Sequence, residues 1–462
     1  MKALTLLLLG LLTNVAAAAD GVTLPAAERI ELANGTVLIL VENHEVPLVG
    51  LEAIILGGAA ADPATKHGLA NLYASLISQG AGNRDAGSFA EAAAAVGGEI
   101  SASAGVESIA VSAEFMSRDS ALMIELVADM LIRPVLDVAE FEKLRERSIH
   151  FILSAKGGDP NALMPSYSNA FLFGEHPYGN PVGGSESSLA NIQHDDVIAY
   201  LGDKLGGDRL VIAVSGAFET AAMKASLSAA FGKWRAASGA LTEVPVATPS
   251  SGRRVFLIDK PGATQTYFYI GNVGVSRNYA ARAELDLANT VFGGRFTSML
   301  VTELRTKSGL SYGARSSLAR YSRPGSVFVS SFTETSTTIE AIDLALSTFA
   351  RFRKTGLDAA MIQSAQNYVM GQFPTRLETA SQLAGTFALL ESTGLDVAYI
   401  NNYGASLATA TPETIAATIE EVYPKDEDLV FVVLGDAESI REAIADDGPI
   451  TEIALSEPRF HP

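Results

Sequence analysis

The sequence predicts an α+β protein of two homologous α/β sandwich domains, each a mostly antiparallel sheet with helices on one face. Three observations predict it. At 462 residues the chain exceeds what one hydrophobic core ordinarily organises. Apolar residues make up 48% and charged residues 18%, the balance of a globular chain. Finally, the sequence is written twice. TVLILVEN at 36–43 resembles RVFLIDKP at 254–261, an offset near 218. The same offset carries Leu69-Ala70-Asn71 onto Leu287-Ala288-Asn289 and Ser188-Leu189 onto Ser406-Leu407. With a slip of one residue it carries DRLVIAVSGAFE at 208–219 onto EDLVFVVLGDAE at 427–438.

In chain order, residues 1–19 read as a signal peptide. Lys2 precedes a leucine-rich run, and small residues to Ala19 give a cleavage site. The run is shorter than the ~20 residues that a span needs, so export rather than anchoring is expected. A first domain follows at 20–237. Residues 36–42 and 49–57 are apolar runs of strand length. Leu69, Leu72, Tyr73, Leu76 and Ile77 keep helical spacing. Residues 99–115 alternate as a hairpin and 120–134 return to helical spacing. Residues 238–252, small and proline-containing, read as an exposed linker. The second domain is expected at 253–440 and a polar tail at 441–462. With no cysteine, the chain has neither disulfides nor a lipoprotein anchor and must rely on core burial.

The formal net charge of −19 repels phosphate backbones and excludes nucleic acid as a natural partner. One window runs against it. Arg295, Arg305, Lys307, Arg315, Arg320 and Arg323 face only Glu303, a basic enclave in an acidic chain.

Two stretches carry chemistry. KHGLANLYASLISQGAG, from Lys66, places His67 at the start of an amphipathic helix. A zinc-gripping helix needs a second ligand at i+4 and a carboxylate to activate water. Here i+4 is Asn71, and Ala70 precedes it. None of the six histidines, His44, His67, His150, His176, His194 and His461, has a partner at metal-ligand spacing. A structural histidine near a helix start, bonded to backbone, is the plain alternative. In the second stretch, NTVFGGRFTSMLVTELRTKSGLSYGARS from Asn289, Gly293-Gly294 interrupts a helical pattern. Arg305 ends a helix with apolar face Met299, Leu300 and Leu304. Tyr312 opens a strand beyond the Ser308-Gly309 turn. Such a pair offers donors to a carbonyl, carboxylate or oxyanion. The alternative is an arginine stem covering core and a buried, hydroxyl-tied tyrosine.

The duplicated halves, HGLANL, FGEHPYGNPVGG at 173–184 and above all GGRFTSMLVTELRTKSGLSYGARS resemble the pitrilysin/insulinase (M16) zinc metallopeptidases. The shape is that of the short two-domain subunits of the mitochondrial processing peptidase type. That resemblance implies a half-chamber fold and a first-domain His-x-x-Glu-His helix with a distant glutamate ligand. Carried over, those positions are His67, Ala70 and Asn71, with the third near Ser148, so one ligand of three survives and the base is gone. It also implies a second-domain pair, Arg305 and Tyr312, acting on substrate at a zinc site. Substrate contact by Gly293, Gly294, Arg295 and Phe296 is implied with it. The expectation is a non-catalytic subunit of an exported, periplasmic heteromeric zinc peptidase. Zinc would sit on a His-x-x-Glu-His partner and not on this chain, and the mature protein would not insert in a membrane. A catalytically dead peptide-binding or scaffold protein is the alternative. A rearranged zinc site from His67, His150 and Glu146 is a third.

Overall fold

The computed structural model describes residues 22–462; the expected signal peptide, 1–19, lies outside the described residues. Strands β1 (Glu28–Glu31), β2 (Val37–Glu42), β3 (Leu48–Leu56), β4 (Glu99–Ala104), β5 (Ser108–Met116) and β6 (Leu210–Gly216) form one sheet in the order β1-β2-β6-β3-β5-β4. Strands β7 (Arg254–Asp259), β8 (Gln265–Val273), β9 (Ala314–Ala319), β10 (Ser326–Glu334), β11 (Val430–Gly435) and β12 (Ile450–Ala454) form a second sheet. Its order is β12-β7-β11-β8-β10-β9.

The two orders are the same apart from one edge. β1 precedes β2 and pairs with it antiparallel, whereas β12 follows the whole domain and pairs parallel with β7. Otherwise only β2 with β6 and β7 with β11 run parallel. The repeat seen in the sequence is therefore a repeat of topology.

Helices cover each sheet. Among them are α1 (Leu69–Ile77), α2 (Val138–Gly157), α3 (Met164–Phe173) and α4 (Ala380–Ser392). Leu69, Leu72, Tyr73, Leu76 and Ile77 of α1 are all buried, as their helical spacing requires.

The expected one-faced helical layer is corrected. Val37–Glu42 and Arg254–Asp259 are buried along both faces, which is why their apolar runs do not alternate. The second face of each sheet is covered by a helix from the other half. Leu383, Ala384, Phe387 and Ala388 of α4 pack on Ile39, Val41, Ile54, Val211 and Ala213 of the first sheet. Tyr167 and Phe171 of α3 pack with Phe256, Ile258, Val430 and Val432 of the second.

Residues 232–253 contain no helix or strand. The polar tail expected at 441–462 is not a tail: Ile444 is buried, β12 joins the sheet, and Leu455 and Phe460 are buried. Its apolar residues are too few for a local pattern, and their partners lie far away in sequence.

Candidate functional site

The α1 end of the molecule carries the positions His67, Ala70 and Asn71. His67 directly precedes Gly68, which starts the helix with φ +96°. A side chain at Gly68 would also stand 2.8 Å from Gly184 Cα, so the turn admits only glycine without strain. Asp62 reaches this helix start. Its two oxygens accept from Gly68 N at 2.8 Å and Ala70 N at 2.9 Å. Burial pushes the Asp62 carboxyl up to about 7 against the pull of those amides.

Ala70 is 0% exposed, Asn71 is half-buried, and the Ser148 hydroxyl on α2 is turned back to Leu144 O at 2.9 Å. The residues at these positions do not fit zinc: one imidazole remains, with neither a second nor a third anionic or imidazole ligand. His67, His150 and Glu146 are not brought together either. Among the described residues, the one cluster with three metal-type ligands is exposed Glu42, His44 and Glu219. There Glu42 is already engaged by Thr220 and His44.

His67 does hold the helix-start position, and its backbone carbonyl accepts from Ser188 Oγ at 2.8 Å. Its ring lies 6.3 Å from that of His461. Burial lowers the pKa of both imidazoles, which favours their neutral forms.

The second stretch is built differently from its sequence reading. Residues Thr290–Gly294 and Thr302–Lys307 are short π-helical turns around a single α turn, Met299–Val301. Ser308 N donates to Glu303 O at 3.1 Å, the widened spacing of the second turn. Gly293 lies flat against β9: a Cβ there would stand 2.2 Å from Ser316 N. Arg305 thus projects from a π turn. Tyr312 lies in the loop before β9, which begins at Ala314, not at the strand's first residue.

The geometry rules out the buried, hydroxyl-tied tyrosine. Arg305 Cζ lies 4.3 Å from the centre of the Tyr312 ring and 4.8 Å from that of Phe296. Tyr312 is 74% exposed and Phe296 67%, so neither is a core residue. No acceptor among the described residues takes a hydrogen bond from the Arg305 guanidinium. Glu303 pairs instead with Lys307 at 3.0 Å and Arg351 at 2.8 Å. What results is a cation held between two exposed rings with its donors unspent.

The basic enclave does not act as one patch. Arg320 pairs with Asp286 at 2.7 Å, Lys307 with Glu303, and Arg323 Nε with Val244 O at 3.1 Å. Arg295 donates to Ser364 O at 3.2 Å and Ser364 Oγ at 3.0 Å. Of the implied substrate-contact residues, Gly293 is buried and structural, Arg295 is engaged, and Gly294 and Phe296 are open.

Sequence reasoning missed Asp62, His461 and the junction at Glu107. The Glu107 carboxylate accepts from Tyr178 OH at 2.6 Å and Ser322 N at 2.9 Å, joining the hairpin tips of the two halves. Asp62 stands six residues ahead of Gly68, outside any capping spacing, and the other two are long-range contacts.

The chain belongs to the insulinase (peptidase M16) family. The model of that family matches residues 37–185, and the model for the peptidase M16 inactive domain matches residues 191–369. An uncharacterized zinc protease of Mycobacterium leprae is 28% identical over 274 residues, 59% of this chain; the chain spans 61% of that relative's length. The non-peptidase homolog YmxG of Helicobacter pylori is 23% identical over 351 residues, 74% of this chain and 79% of that protein. The crystal structure of a peptidase M16 inactive domain from Pseudomonas fluorescens superposes with TM-score 0.82 at 20% identity. It covers 89% of this chain and 98% of its own. The periplasmic protease PqqL from Escherichia coli gives 0.75 at 14%, over 93% of this chain and 49% of that one. These two structural likenesses are of fold.

Proposed function

We propose that this chain is the non-catalytic, substrate-holding subunit of a heteromeric zinc peptidase. A partner with a His-x-x-Glu-His helix supplies the zinc site, and this chain binds no cofactor. The observation that carries the reading is the Arg305 guanidinium, stacked between Tyr312 and Phe296 with no acceptor, on a chain whose own α1 has lost ligands and base. Arg305 N–H groups and the Tyr312 hydroxyl then donate to a substrate carbonyl or to the oxyanion that forms from it. Such donors act without reorganising, because the rings already fix the guanidinium plane. The name of the inactive-domain model matching residues 191–369 supports the division of labour.

The proposed setting is the periplasm. It is supported by the leader-like first residues and by the periplasmic protease of like fold. Among the described residues no helix is long and apolar enough to cross a membrane.

The test is a peptidase assay on the purified chain alone and mixed with a His-x-x-Glu-His protein of this fold from the same genome. Activity and co-elution only in the mixture are expected; normal turnover by an assembly carrying Arg305→Ala and Tyr312→Phe would sink the reading. A second reading, a peptide-binding or scaffold protein without any catalytic partner, is supported by the non-peptidase name of the Helicobacter pylori relative.

A further inference from the structure

The segment Leu455–Pro462 leaves the second sheet and ends on the first domain. Leu455 N still donates to Asp259 O at 2.8 Å, beside β12. Beyond it the chain forms neither helix nor strand. Pro458 O accepts from Ser187 N at 2.9 Å, and Glu457 O accepts from Lys156 Nζ at 2.6 Å. Lys156 is itself buried, with its charge met by Glu186 at 2.5 Å. Phe460 is 2% exposed and stands edge-on to Tyr167, centroids 4.8 Å apart. His461 follows, beside His67.

Ser456, Pro458 and Arg459 meanwhile face solvent. Beyond Leu455, which is buried and bonded to Asp259 at the root, two backbone carbonyls and one aromatic side chain hold the segment, which is how a groove holds an extended peptide. The wall it covers also keeps an unspent polar group: the Tyr167 hydroxyl is buried with no partner among the described residues. A buried lysine aimed at a main-chain carbonyl reads main chain, and a pocket closed by Tyr167 reads an aromatic ring.

From these contacts we infer that the groove formed by α2, α3 and the Ser185–Ser188 turn is a peptide-binding site, and that the chain's own Leu455–Pro462 strap is its resident competitor. Its ligand is an extended peptide with an aromatic side chain for the Tyr167 pocket and a preceding carbonyl for Lys156. The site uses neither Arg305 nor Tyr312, so it stands or falls separately from the proposed catalytic support. A tethered competitor acts at an effective concentration on the order of millimolar, so a free peptide must outcompete that.

The probe is a fluorescent octapeptide with the sequence of residues 455–462, titrated by polarisation into the full chain and into its Phe460→Ala variant. Binding at least tenfold tighter to the variant is expected, with loss of binding when the peptide itself carries Phe460→Ala. Equal affinity for both chains, or no binding to a variant that still unfolds cooperatively, overturns the inference. Should the variant not fold, hydrogen exchange on the unaltered chain decides. Millimolar peptide should speed exchange at 456–462 while 164–173 stays protected, and an unchanged strap overturns it.

Discussion

Arg305 and Tyr312 are in face-to-cation contact, guanidinium carbon to ring centre 4.3 Å, on a surface where Phe296 is the other ring on the arginine and no acceptor among the described residues engages it. Residues so placed contribute little to folding: an exposed contact of this kind is worth about 0.5–1 kcal/mol. Arg305→Ala should therefore leave the unfolding midpoint nearly unchanged. In an assembly with the proposed zinc-bearing partner it should lower kcat on the order of 10²–10³-fold. Tyr312→Phe separates ring from hydroxyl. It keeps the stack, so a comparable loss would assign the hydroxyl to substrate, and normal kcat would restrict Tyr312 to holding Arg305.

Gly293 makes the opposite prediction. Its missing side chain is what lets the π turn lie on β9, with Ser316 N 2.2 Å from where a Cβ would be. Gly293→Ala should cost about 1–3 kcal/mol in denaturant unfolding and move Phe296 from beneath Arg305. A variant as stable as the parent would show that the turn has room the geometry denies.

Asp62 sets a pH dependence. Its folded-state pKa of about 7 lies above the ordinary 3.8, so between those values the folded protein holds a proton that the unfolded chain has released. Stability must then fall as pH rises across that window, by up to about 1.4 kcal/mol per unit, and level off above it. Asp62→Asn keeps an acceptor for the α1 amides but cannot titrate. Its stability relative to the parent should rise from about pH 4 to about pH 7; parallel curves would refute the assignment.

Zinc content tests the reading of α1. After dialysis the purified chain should retain far less than one equivalent by elemental analysis. Ala70→Glu with Asn71→His should not restore it, because Ser148 still leaves the set short of a third ligand. Ala70 is fully buried, so the introduced carboxylate should also destabilise the fold. One tightly held equivalent in the unaltered chain would reverse the conclusion.

The legible parts of this molecule were those whose pattern is local or repeated. The α1 face of Leu69 to Ile77, the 99–115 hairpin and the duplicated strands follow from period and offset alone. What stayed hidden depends on residues far apart in the chain. His461 meets His67 across almost the whole sequence, and Phe460 is buried only because Tyr167 is there. The double burial of β2 and β7 showed as unbroken apolar runs, but not which helix covers them. At the candidate site, motif positions singled out Arg305 and Tyr312. Their exposure and the stack with Phe296 needed the π turns, which no periodicity announces. The basic enclave misled because a linear count of charges ignores Asp286, which pairs with Arg320 from the helix Arg282–Asn289.

The exchange of α3 and α4 between the halves has a mechanical meaning. Each sheet borrows one of its covering layers, so neither half closes its core alone. Cutting the chain within the connecting segment at 238–252 would give two fragments that remain clasped and melt together. The angle between the halves is thereby set by two packed cores rather than by a tether.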